Sequence, residues 1–101
     1  MTAGRKCNEV GEGVLKLAKD AGLEKYVYHR PAHGEGSEGH QAPYLSLGDN
    51  TVLEENMTLS LECVATNDTG IGGSVHYEDI LLITRDGAVP IHKVPDAVIQ
   101  V

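Results

Sequence analysis

The sequence predicts an α+β fold, one amphipathic helix followed by several antiparallel strands. Three observations carry that prediction. Apolar residues recur at helical spacing from about Asn8 to Ala21, two later segments alternate with period two, and Arg85-Asp86-Gly87 reads as a hairpin turn. At 101 residues the chain accounts for a single domain, near the lower size at which a hydrophobic core suffices alone.

Val10, Val14, Leu17, Ala18 and Ala21 share one helix face. Gly11 and Gly13 weaken the first turn, whereas Gly22 is placed for a left-handed C-cap with Leu23 making the accompanying apolar contact. Tyr26 to His29 is expected to be extended, because Tyr-Val-Tyr favours a strand and Pro31 disfavours helix just before it. Pro31 to Pro43 reads as loop, punctuated by Gly34, Gly36 and Gly39. Turns follow at Gly48-Asp49-Asn50 and Glu54-Glu55-Asn56. The strand that comes next, ending near Ala65, puts Met57, Leu59, Leu61 and Cys63 on one face and Thr58, Ser60 and Glu62 on the other. After a bend at Gly70, Gly72 and Gly73, a second long strand runs from Ser74 to Thr84. The hairpin turn then leads into Ala88-Val89.

Composition narrows the function classes. The formal charge is −7 and no Lys/Arg cluster runs along any segment, so neither nucleic acid nor an anionic membrane is an expected partner. With no Phe or Trp and four Tyr, the core must be built mainly from Val, Leu and Ile. Cys7 and Cys63 lack metal-type spacing and are too few for a disulfide framework, which favours a reduced, cytoplasmic chain. No apolar run has the length of a membrane span or the character of a secretory leader.

The chemistry is concentrated in His33-Gly-Glu-Gly-Ser-Glu-Gly-His40, with Glu62 and Glu78 following on the two long strands. Imidazole and carboxylate are the usual protein ligands of a hydrolytic divalent metal. Alternation puts Glu62 with Ser60 and Thr58, and Glu78 with His76 and Ser74, on the polar faces of their strands. Facing each other across a curved sheet, these groups would form a pocket in which a cation relieves carboxylate repulsion. Taken singly, each glutamate is more ordinarily a solvated strand residue and each histidine a surface imidazole. Asp68 and Asp79 form a weaker pair, better explained by a turn and a strand end. The glycine loop lacks the Lys-Ser/Thr of a phosphate cradle, Cys63 reads as a buried thiol, and His29 and His92 receive no role.

The run from His29 to Tyr44 resembles the histidine loop of the pita-bread metallopeptidases, the family of methionine aminopeptidase, Xaa-Pro aminopeptidase and prolidase. Gly48 to Met57 is similar to the turn before that family's first glutamate strand. Glu62 falls at the first glutamate, and Glu78-Asp79 through Gly87 at the closing Glu-Asp strand and turn. The resemblance spans nearly the whole chain and is closest to the prolidase and Xaa-Pro aminopeptidase branch. It implies a strongly bent antiparallel sheet with the helix on its outer face, residues 1–101 being the C-terminal half of a pita-bread catalytic domain. It further implies His33 and Glu78 as metal ligands, with Glu78 bridging two metals. Glu62 would be both ligand and general base, and His40 a substrate-side histidine stabilising the amide as it becomes tetrahedral.

Four departures accompany the resemblance. The family's two aspartate ligands come from an earlier part of the domain. Glu35 replaces an apolar residue, Cys63 a proline, and His76 an arginine two before the second glutamate. The expected function is therefore that of a fragment or truncated member of a metal-dependent Xaa-Pro peptidase-like hydrolase. Its cofactors would be divalent metal ions (Mn, Co, Zn or Fe), and its substrate in the complete domain a peptide or small-molecule amide. A homodimer or a complementing N-terminal half is the expected partner. A non-catalytic scaffold or interaction module of the same fold, or a relative acting on a non-peptide small molecule, is the alternative.

Overall fold

The computed structural model describes residues 1–27, 29–67, 73–95 and 97–100. Helix α1 (Cys7–Asp20) forms where the apolar periodicity places it, and its early glycines do not delay its start. The reason is tertiary: the Cys7 N–H donates to the Thr51 carbonyl and the Asn8 N–H to that of Asp49, both at 2.9 Å. At the other end Gly22 has φ +70°, its N–H donates to Lys19, and the Leu23 N–H donates to Ala18. These two bonds make the expected left-handed cap a Schellman motif.

Five strands form one antiparallel sheet: β1 (Ala32–Gly34), β2 (Gln41–Tyr44), β3 (Thr58–Asn67), β4 (Gly73–Ile83) and β5 (Ala88–Pro90), in the order β2-β1-β3-β4-β5. Pairing of β3 with β4 is continuous from Thr58↔Leu82 to Asn67↔Gly73. The α+β expectation and both long strands hold. The bend at Gly70 and Gly72, and the turn role of Asp68, lie outside the described residues.

Two expectations are corrected. Tyr26 does not enter a strand: Glu24–Tyr26 is a 3-10 turn closed by Tyr26 N–H to Leu23 and Val27 N–H to Glu24. No sheet edge is open to an extended segment there, since β1 is flanked by β2 and β3. The segment read as loop instead supplies β1 and β2. Their sequences lack aliphatic alternation: the strand character of β1 comes from pairing with Leu59, Ser60 and Leu61 of β3, and that of β2 from pairing with β1. Pro43 is accommodated because β2 is an edge strand.

Cys7, Ala32, Leu45, Leu53, Leu59 and Ile83 form the core, with Val10, Met57, Leu61 and Ala88 packed around them. Burial pushes the Cys7 thiol up to about 11, with the Asp49 charge adding to the effect. Hydrogen bonds from Thr51 and then Tyr44 hold the Asp49 carboxyl below its ordinary range and fix the loop that caps α1.

The core does not extend along the full helix. Leu17 is 70 % exposed, and the outer ends of β3 and β4 leave Cys63, Val75 and Tyr77 exposed as well. Between them lies an apolar trough of about 460 Å³, bounded by Val14, Ala18, Leu23 and Tyr26 on one side and Cys63 and Val75 on the other. The expectation of a buried Cys63 fails for this reason: its strand face is apolar, but α1 does not reach far enough to cover it.

The register slips between His33 and Gly34 on the β1–β2 side, and a Cβ on Gly34 would lie 2.4 Å from the Ala42 carbonyl oxygen. Glycine is required there because two backbones touch. Gly34→Ala is expected to destabilise the chain by about 1–3 kcal/mol through overpacking, read as a shift in the urea midpoint. A midpoint unchanged from that of the parent would contradict this packing.

Candidate metal centre

One face of the sheet carries the site. Strand alternation puts Ala32, Leu59 and Leu61 toward the core and His33, Ser60 and Glu62 on the opposite face. The β3–β4 register sets Glu78 directly opposite Glu62, consistent with the polar faces that alternation gave them, with His76 one pleat further along β4. Two carboxylates facing each other on adjacent strands repel unless a positive group joins them. Ser60 Oγ donates to Glu78 Oε1 at 2.8 Å and so fixes the second carboxylate.

Glu62 is the centre of the arrangement. Its residue is 7 % exposed, and that of His33 is 1 % exposed. Glu62 Oε2 lies 3.4 Å from His33 Nε2 and 3.3 Å from His29 Nδ1, while Oε1 lies 3.4 Å from His76 Nε2. His33 Nδ1 donates to the Gly34 carbonyl at 2.9 Å, since a carbonyl can only accept. In the neutral ring Nε2 therefore presents a lone pair to Glu62. Both His33 Nε2 and Glu62 Oε2 are buried without a hydrogen-bond partner. Two lone pairs face each other, which is unfavourable unless a cation or proton lies between them.

A divalent metal fits this donor set. Ligand atoms about 3.4 Å apart are what a tetrahedral cation with bonds of about 2.1 Å requires. The backbone carbonyl on the far ring nitrogen is the outer partner that metal-binding histidines ordinarily have. Among the described residues two groups of donor atoms lie close enough to hold an ion: His33, His40 and Glu62, and Glu62, His76 and Glu78. His33 and Glu78 thus fall in neighbouring groups, with Glu62 shared by both.

His40 is positioned differently. Its ring stacks on His33 at 3.9 Å between centroids and 20° between planes. The guanidinium nitrogen Nη2 of Arg30 lies 3.3 Å from His40 Nδ1 and can only donate, so Nδ1 accepts and the neutral ring carries its proton on Nε2. Arg30 is itself stacked on Tyr44, 4.3 Å from the ring centroid. The exposed His40 is thereby set as an N–H donor beside the cluster.

Sequence reasoning missed two imidazoles. His29 had no periodic signal, because it precedes β1 and reaches Glu62 only where the Glu62 N–H donates to the Pro31 carbonyl at 2.8 Å and draws this segment alongside β3. For His76 a signal existed: its shared face with Glu78 was legible, but its approach to Glu62 depends on the cross-strand register. Asp79 does not terminate a strand; it lies within β4 and pairs with His92 Nδ1 at 2.8 Å.

The sequence pattern of metallopeptidase family M24 matches residues 1–85. The chain is 33% identical over 98 residues to the probable dipeptidase PepE of Mycobacterium bovis, covering 97% of this chain and 26% of that protein. It is 37% identical over 87 residues to the Xaa-Pro dipeptidase of Lactobacillus delbrueckii subsp. lactis, covering 86% and 23%. The solved Xaa-Pro dipeptidase of Bacillus anthracis superposes with a TM-score of 0.87 at 30% identity, over 98% of this chain and 27% of that one. The chain thus spans about a quarter of the length of the curated relatives it matches, and its helix and five-stranded sheet match the portion of the pita-bread fold that they share.

The hydrogen-bond pattern predicts opposite tautomers for two stacked rings. Nitrogen-15 spectra of the neutral imidazoles are expected to show a protonated Nδ1 in His33 and a protonated Nε2 in His40, and Arg30→Ala should abolish the preference in His40 alone. The same tautomer in both rings would contradict the geometry.

Proposed function

The chain belongs to metallopeptidase family M24, and on that footing we propose that His33, Glu62 and Glu78 are the ligands this segment brings to a metal-dependent hydrolase of Xaa-Pro dipeptides. The observation that carries the proposal is the pair of buried, unpartnered atoms His33 Nε2 and Glu62 Oε2 facing each other at 3.4 Å. A divalent cation at such a site lowers the pKa of a water and polarises an amide carbonyl. The surrounding residues supply the rest. Glu62 accepts the proton of the attacking water, being the carboxylate common to both donor groups. Glu78, oriented by Ser60, adds negative charge across the strand pair. His40 Nε2–H donates to the substrate oxygen as charge develops on it, while Arg30 holds the donor tautomer.

The remaining ligands and the walls of a substrate pocket must come from other elements of the catalytic domain. The apolar trough along α1, β3 and β4 is the natural seat for them, because its lining is aliphatic and uncovered. We therefore read a complementing N-terminal half, rather than a second copy of this chain, as the partner that completes the site. No described helix is long and apolar enough to cross a membrane.

Co²⁺ or Mn²⁺ titration followed by calorimetry tests the ligand assignment. His33→Ala and Glu62→Ala are each expected to weaken cation binding by more than about tenfold, and His40→Ala to leave it within about twofold. Affinity indifferent to both His33→Ala and Glu62→Ala would overturn the assignment.

A further inference from the structure

His76 is the one imidazole that reaches the cluster from β4. It stands one pleat from Glu78 on the same strand face, diagonal to Glu62, and its Nε2 lies 3.4 Å from Glu62 Oε1. That oxygen is the other half of the carboxylate whose Oε2 faces His33. Glu78 completes the group, with one atom from each of the three residues lying within 4.8 Å of the others. Glu62 is nine-tenths buried and its Oε2 has no hydrogen-bond partner, so that half of the carboxylate is not satisfied by a protein donor.

We propose that His76 is a metal ligand, joining Glu62 and Glu78 at an outer cation position beside the inner one at His33. This rests on the metal reading of Glu62 given above and adds to it a residue and a preference. Two carboxylates alone present hard oxygen donors, which suit Mn²⁺ or Mg²⁺. An imidazole added to them shifts the position toward Zn²⁺ and Co²⁺, because nitrogen donors favour the later, softer divalent ions. His76 also suits the role by access: its side chain is half-exposed while the carboxylate it faces is buried, so an incoming ion meets the imidazole first.

The test counts cations rather than turnover. Equilibrium dialysis of the full chain against Co²⁺, with the visible spectrum of bound cobalt recorded alongside, is expected to give two ions per chain. His76→Ala should bind one, with the affinity for the lost ion reduced at least tenfold and the second spectral component gone. His76→Arg should do the same, since it places a fixed positive charge where a lone pair was needed. His76→Cys, which restores a ligand atom, should return the second ion with a sulfur-to-cobalt charge-transfer band. His33→Ala should lose the other ion, and Glu62→Ala both. Because His76 is exposed at the end of its side chain, its variants are expected to keep the parent's circular dichroism.

The proposal is overturned if His76→Ala still binds two ions, or if the parent binds a single ion whose affinity ignores His76. Binding of one ion that depends on His33 and Glu62 but not on His76 would leave the inner assignment intact and end this one. Binding indifferent to His33 and Glu62 would end both.

Discussion

The site depends on one constraint: a buried carboxylate, Glu62, set among imidazoles with no lysine or arginine paired to it among the described residues. A carboxylate withdrawn from water loses several kcal/mol of hydration unless positive charge and hydrogen bonds replace it. Here the replacement is incomplete. One oxygen has two imidazole nitrogens nearby but no hydrogen bond, and the facing His33 nitrogen has none either. Such an arrangement costs stability as it stands, and under the proposed ligand assignment a divalent cation would offset that cost by coordination. The fold therefore concentrates unsatisfied polar atoms around Glu62.

Backbone geometry makes the concentration possible. The pairing of β3 with β4 brings Glu62 and Glu78 opposite each other, and the pairing of β1 with β3 brings His33 alongside Ser60. The slip in register at His33/Gly34 lets β1 approach β2 closely enough that only a hydrogen atom fits at Gly34. On the reverse face, Ala32, Leu59 and Ile83 anchor the same strands in the core. A shift of one residue in β1 would send His33 into that core and Ala32 into the site. Packing and ligand placement are thus two readings of one register. The uncovered trough beside α1 fits the same picture, since the chain spans about a quarter of the length of the relatives it matches and the proposed complementing half would close the apolar layer.

Much of this was legible in the chain itself. Helical periodicity located α1, and the Gly22-Leu23 cap appeared where its residues placed it. Period-two alternation assigned Glu62 and Glu78 to the polar faces of two long strands, and the structure sets them opposite each other. What the sequence did not disclose shares a cause. The strands β1 and β2, three and four residues long, carry no pattern of their own: β1 exists because β3 offers it an edge, and β2 because β1 then does. His29 and His76 join the cluster through backbone pairing of Pro31 with Glu62 and through cross-strand register, both of them tertiary facts. Cys63 was misjudged because a face can be apolar without being covered. Local pattern reports which side of a strand a residue occupies, and packing decides what lies on that side.

The most direct test of the account is an anomalous difference map from crystals of the chain soaked in Co²⁺ or Zn²⁺. The account predicts density bonded to the Glu62 carboxylate, with His33 Nε2 within ligand distance on one side. A map with the ion bound elsewhere, or with Glu62 hydrogen-bonded to a protonated His33 and no ion between them, would contradict it.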